Sequence, residues 1–215
     1  MKSEFLISKI ETGKLNAMVK NIMTKTGIAN PQEVVRMVNA GEVQMLVKKP
    51  WIEKNGLIYF SVTSDGTSGK EWISRLENQD KEIGEHAKNV LLSKDFKPGE
   101  PTVYEIVVIK GGLFRNNERT TKNMRAKAEI MKLSTPNAEV ACLIREKFSN
   151  SDLRAMGLYW IITMHKPIND LGGYPTLLCT ECLQNSSRLG AHHDSSKHSW
   201  YQVDGFAFVA SKFAA

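Results

Sequence analysis

Four stretches of the chain are dense in apolar β-formers: residues 56–62 (GLIYFSV), 102–109 (TVYEIVVI), 158–164 (LYWIITM) and 205–209 (GFAFV). Runs of this length predict buried strands, and the first and third read as central ones. Between them the apolar positions recur at helical spacing. Ser68 and Glu71 form a capping box, followed by Trp72, Ile73 and Leu76 on one helix face. Ile83, Ala87, Val90 and Leu91 mark a second helix ending near Ser93. Met124, Ala128 and Met131 give the inner face of a basic helix over residues 117–132. Thr135-Pro136 opens another, with Val140, Leu143 and Ile144 inward and Cys142 as a small core residue. Ser149 and Asp152 start a short helical turn that Gly157 closes. Helices interrupt strands irregularly, and the last strand comes from the far C-terminus. That order suits a mixed α+β domain better than a parallel βαβ array.

The first 49 residues read as a small helical appendage. Asn30-Pro31-Gln32-Glu33 is a helix start, with Asn30 as cap, Pro31 at the first position and Glu33 placed to reach back. Val34, Val35, Met37 and Val38 form its apolar stripe, and Gly41 ends it. Lys48-Lys49-Pro50 marks the boundary to the main domain, residues 50–215, because Pro50 holds Lys49 extended.

The tail, residues 177–211, breaks the pattern. It reads LLCTECLQNSSRLGAHHDSSKHSWYQVDGFAFVAS. Residues 177–204 show neither period, yet Leu189 and Trp200 are large apolar anchors set in polar text, which argues against disorder. A long irregular segment pinned by a core strand (residues 205–211) points to function.

Small aliphatic, short polar and aromatic residues, closed by Trp200, four residues and then Gly205-Phe206-Ala207-Phe208, resemble the variable repeat of the target proteins of diversity-generating retroelements. Residues 51–178 resemble bacterial proteins that carry such tails. The resemblance implies a C-type-lectin-like fold of the formylglycine-generating-enzyme type, whose terminal strands pair. It also implies a non-enzymatic, ligand-binding protein facing a protein or cell-surface ligand through a hypervariable surface. In that family a reverse transcriptase copies a template with errors at adenines. An Asn codon mutated at its first two bases yields His, Ser, Tyr, Gly, Asp, Cys or Val, never Lys, Gln, Glu, Met or Trp. The expected varied set is therefore Cys179, Gly190, His192, His193, Ser195, His198, Tyr201, Val203 and Asp204. These should face solvent, while Leu189, Trp200, Phe206 and Phe208 should be buried as scaffold. Glu181, Lys197 and Gln202 must be fixed or come from other codons.

Composition leaves this reading standing. The 215 residues are 41% hydrophobic and 24% charged, as in an ordinary globular protein. MKSEFLISKI lacks an apolar leader core, which predicts no signal peptide and a cytoplasmic location, with a phage particle or a leaderless export route as the other settings. No apolar run approaches the ~20 residues of a membrane span. The net charge of +6 permits an acidic partner. Residues 1–49 hold eight Lys or Arg against four acids, and Arg119, Lys122 and Arg125 share a face of the basic helix. The competing reading is thus a basic nucleic-acid-binding protein.

Two further constellations carry chemistry. Cys179-Thr-Glu-Cys182 with His192, His193 and His198 can supply tetrahedral zinc ligands, although no finger core lies between. A redox role for the cysteine pair needs a helix N-terminus that the flanks do not offer. His165 after a strand can pair with Asp170 as an acid–base couple, or serve structurally through the Asn169 or Asp170 loop. No nucleophile, phosphate loop or His-Glu-x-x-His accompanies it. Neither do the Glu-Pro-Asn and Trp-Asn-Asp motifs of calcium-dependent sugar binding. The expectation is no enzyme activity, no cofactor and no resident metal.

Overall fold

The computed structural model describes residues 12–42, 49–184, 186–194 and 199–210. The chain divides into two compact units, Met1–Lys49 and Pro50–Ala215, at the boundary read from Pro50. In the first, helices α1 (Thr12–Thr26) and α2 (Pro31–Asn39) pack on each other. Asn30 caps α2 by accepting from the Gln32 amide at 3.0 Å, with Pro31 at the first position. Glu33 does not complete a capping box. It pairs with Arg36 one turn on, at 2.9 Å, because a guanidinium offers charged donors where the cap offers one neutral N–H.

The second unit is of the α+β class. In chain order it contains β1 (Ile52–Lys54), β2 (Leu57–Ser64), α3 (Gly69–Glu77), β3 (Glu82–Ile83), α4 (Glu85–Leu92), β4 (Thr102–Lys110), α5 (Thr121–Ile130) and β5 (Leu133–Ser134). Then come α6 (Glu139–Lys147), α7 (Asn150–Ala155), β6 (Trp160–Thr163), β7 (Ile168–Asn169), β8 (Pro175–Cys182), β9 (Ser187–His193) and β10 (Asp204–Ala210). All strands join one mixed sheet in the order β1-β2-β4-β10-β6-β8-β9-β3, with β5 on β10 and β7 on β8. The C-terminal strand is inserted at the centre, antiparallel to β4 and parallel to β6. The sheet therefore closes only when the tail is in place.

Local chemistry explains most elements. The Ser68–Glu71 capping box forms in both directions, and Trp72 and Leu76 are fully buried behind it. Ser149 and Asp152 form a second such box. Gly157, at φ +74°, supplies the left-handed turn into β6 that a side chain would strain.

Four expectations need correction. The terminal strands do not pair with each other: β4 takes the place beside β2, so β10 lies between β4 and β6 while β1 pairs with β2. The GLIYFSV run forms β2, but one strand in from the edge rather than centrally. Ile58, Phe60 and Val62 are buried while Tyr59 and Thr63 reach solvent. The basic helix is shorter than its apolar spacing suggested. Thr120 accepts from the Asn123 amide at 3.3 Å and starts α5 there, leaving residues 116–118 as a 3-10 turn. The largest change concerns the first part of the tail, which up to His193 is a β-hairpin, β8–β9, rather than irregular. From Thr176 to Cys182 every residue of β8 is buried, so polar and apolar residues do not alternate along it. Its polar groups are satisfied instead: Thr180 Oγ1 donates to Ala141 O at 3.3 Å and Thr176 Oγ1 to Tyr174 O at 2.9 Å.

Helices α3, α4, α6 and α7 cover one sheet face, where Trp72, Leu76, Val90, Ile144 and Leu153 meet Ile58, Ile106, Ile161, Leu178 and Leu189. Two charged residues are sealed into this region. Glu139 accepts from Ser64 Oγ (2.7 Å), Gly99 N (2.7 Å) and Trp72 Nε1 (3.2 Å), and Arg145 donates to the carbonyls of Glu181 (3.0 Å) and Phe148. The other face carries a smaller core of Ile109, Ile162, Leu177, Cys179, Phe206 and Phe208 under Met124 and Ala128 of α5 and Trp200. Among the described residues no helix is long and apolar enough to cross a membrane.

Candidate functional site

The polar end of this second face lies where β6, β8 and β9 run side by side. Register sets Trp160 opposite Glu181 and Glu181 opposite Arg188, with Cys179 opposite Gly190. Because side chains alternate along a strand, Trp160, Cys179, Glu181, Arg188, Gly190 and His192 all project to this side.

Glu181 is the hub. Its carboxylate, 2% exposed, accepts from Arg188 Nε at 2.6 Å on Oε2. On Oε1 it accepts from His192 Nε2 at 3.2 Å and from the Cys179 thiol at 3.4 Å. Burial acts to raise its pKa, but the donors His192 and Arg188 outweigh burial and hold it below the ordinary carboxylate value. The carboxylate rests on Gly190, where any Cβ would collide with Oε1. His192 stacks on Trp160 with centroids 4.5 Å apart and presents to Trp200 edge-on at 6.1 Å. Trp200 is bolted to the α5 region by its amide on Arg119 O (2.8 Å) and its indole N–H on Thr121 Oγ1 (3.2 Å). Beyond it Tyr201 is 61% exposed. Asp204 is buried and accepts from the Tyr201 amide at 2.8 Å; burial pushes its pKa up to about 6.

The scaffold residues Leu189, Trp200, Phe206 and Phe208 are all buried. Of the residues expected to vary, Tyr201 and His193 are exposed, and His192 and Val203 are half-buried. Cys179, Gly190 and Asp204 are buried, against expectation: Cys179 and Gly190 lie beneath Glu181, and Asp204 opens the central strand. Ser195, Lys197 and His198 lie outside the described residues. Sequence reasoning missed Glu181, Arg188 and Trp160 as site residues. Their signal is a cross-strand register, which needs the pairing to be known.

The cysteine–histidine zinc set is dispersed. Cys179 and Cys182 are three apart on a strand and so face opposite sides; Cys182 Sγ donates to Asn150 O at 3.6 Å among the helices. His192 and His193 diverge for the same reason. Burial drives the Cys179 thiol pKa well up, and burial on the other face does the same for Cys142. Among the described residues, two other groups bring three ligand atoms within 4.8 Å of one another: Cys179, Glu181 and His192, and His86, Asp170 and His193. In the first, Arg188 already neutralises Glu181, so a cation there would sit against a guanidinium.

His165 and Asp170 do not form a couple. His165 Nδ1 bonds Lys166 O (2.8 Å) and Nε2 accepts from Leu178 N (2.9 Å), which fixes a neutral tautomer with no free nitrogen. Burial lowers its pKa to about 4. Of the three cations expected on a nucleic-acid face, Lys122 is exposed and the two arginines are engaged internally. Arg125 donates to Met164 O and His165 O, each at 3.0 Å, and Arg119 to Gly111 O at 3.2 Å and Asn116 Oδ1 at 2.7 Å. Comparison with protein-family models, curated proteins and solved structures finds no match.

Proposed function

We propose that this chain is a ligand-binding variable protein diversified by a retroelement, displaying its recognition surface on a C-type-lectin-like frame. The observation that carries the reading is the interleaving of frame and free residues in the tail. Leu189, Trp200, Phe206 and Phe208 are buried, while His192, His193, Tyr201 and Val203 between them reach the surface. A repertoire needs that separation, because truncating a core residue typically costs ~2–5 kcal/mol whereas surface changes are nearly neutral. β10 pairs with β4 and β6 and so holds the tail's exit in register. Tyr and His offer aromatic area and adaptable hydrogen bonds, the chemistry of paratopes, and the ligand is a protein or cell-surface molecule. Cys179, Gly190 and Asp204 form the floor, and they change only in company with the groups that cover them.

Sequencing the DNA around the gene tests this. The expected result is a near-copy of the segment for residues 177–211 beside a reverse-transcriptase gene, with differences confined to template adenines. A locus with neither, or differences at all four bases, overturns the reading. The nucleic-acid alternative predicts a steep salt slope for binding that Arg119→Glu with Lys122→Glu abolishes.

A further inference from the structure

Three segments far apart in sequence converge on one carboxylate at the sheet's outer end. His86 comes from the start of α4, Asp170 from the turn between β7 and β8, and His193 from the end of β9. The Asp170 side chain is only 5% exposed. Its Oδ1 is spent on the backbone, accepting from Gly172 N at 2.9 Å and Tyr174 N at 3.0 Å. Its Oδ2 is turned the other way, 3.2 Å from His193 Nε2 and 3.7 Å from His86 Nδ1. The His193 ring is clamped against Tyr174 in a stack at 5.1 Å. The two imidazoles stand nearly perpendicular, 83° apart.

We propose that His86, Asp170 and His193 form a three-ligand site for a zinc-class divalent cation. Bonds of about 2.0–2.1 Å in a tetrahedral shell place neighbouring ligand atoms about 3.3–3.4 Å apart. The two separations from Oδ2 bracket that spacing, so small side-chain adjustments seat the ion. Two imidazole nitrogens and one carboxylate oxygen are borderline donors that favour zinc, nickel or copper over calcium or magnesium, which want more oxygens. The two backbone N–H groups on Oδ1 and the Tyr174 ring hold the ligands in orientation, as outer-shell partners do in metal sites. Exposed His86 and His193 leave the fourth position open to water or to a donor from a bound partner. The site uses no cysteine, yet it shares His193 with the cysteine–histidine set and with the residues expected to vary; it is a property of this sequence whether or not the surface is diversified.

The test is Zn²⁺ titration of the chelator-stripped full chain by calorimetry, with Co²⁺ spectra as a second readout. One ion per chain is expected. His86→Ala and His193→Ala, both surface changes that far-UV circular dichroism should show to be folded, should each weaken binding. The loss should exceed the about 10–100-fold that removal of a supporting contact costs. Cys179→Ser should bind as the parent does. The Co²⁺ complex should show d–d bands without thiolate charge transfer. No binding by the parent, unchanged binding in the double histidine variant, or a thiolate band would each overturn the proposal.

Discussion

Leu178 and Cys179 are neighbours in β8 and both fully buried, yet they look into different environments. Leu178 enters a face sealed by four helices, where aliphatic and aromatic side chains pack around the hydrogen-bonded Glu139 and Arg145. Cys179 enters a face roofed by α5 and Trp200 on one side and by a hydrogen-bonded Glu181 on the other. The first face is held by close packing, so its tolerance is set by volume. The second is held at its end by directed bonds among Glu181, Arg188 and His192, so its tolerance is set by which partners change together. A surface that must accept substitution belongs on the second kind of face.

The sharpest way to break this contrast is to truncate its anchor. Phe206→Ala should cost about 3–5 kcal/mol of unfolding free energy, as large aromatic truncations do. Tyr201→Ala, five residues earlier and exposed, should stay within about 0.5 kcal/mol. Urea denaturation of both variants measures the pair. Similar losses would mean that frame and surface are not separate.

Smaller effects are expected where polar groups couple. Gly190→Ala puts a methyl where the Glu181 carboxylate lies, so it should destabilise by about 1–3 kcal/mol. In Glu181→Ala that obstacle is gone. The same glycine change made there should cost much less, a coupling of about 0.5–3 kcal/mol in a double-mutant cycle. Strict additivity would show that Glu181 does not rest on Gly190.

The smallest effect separates two carboxylates on this one face by pH. Asp204 has a pKa raised by burial to about 6, above its unfolded value near 3.8, so the folded state binds the extra proton. Its contribution is fully present below the unfolded value and is lost as pH rises from about 4 to 6, on the order of 1 kcal/mol. Glu181 runs the other way: with a folded pKa below the ordinary 4.5, its contribution is present above that value and fades as pH falls below it. Stability against pH should therefore slope downward between about pH 4 and 6 in the parent and flatten in Asp204→Asn, which keeps an oxygen for the Tyr201 amide. An unchanged slope would remove Asp204 from the account.

Local signals in the chain were enough for the elements whose causes are local. The Ser68–Glu71 and Ser149–Asp152 capping boxes, the Trp72 and Leu76 helix face, the runs behind β4, β6 and β10, the break at Pro50 and the burial of Leu189, Trp200, Phe206 and Phe208 all follow from residues a few positions apart. What only the tertiary structure decided depends on pairing. β8 shows no alternation because both its faces are covered, so its strand character was invisible until its neighbours were known. The parity of two along a strand then separated Cys179 from Cys182 on β8 and His192 from His193 on β9, which spacing in the sequence alone had grouped. The same register joined Glu181 to Arg188 and Trp160, and the fold carried His86 to Asp170 across more than half of the main domain. A side chain's type and spacing state what it can do; which face it occupies is set by hydrogen bonds to strands distant in the chain.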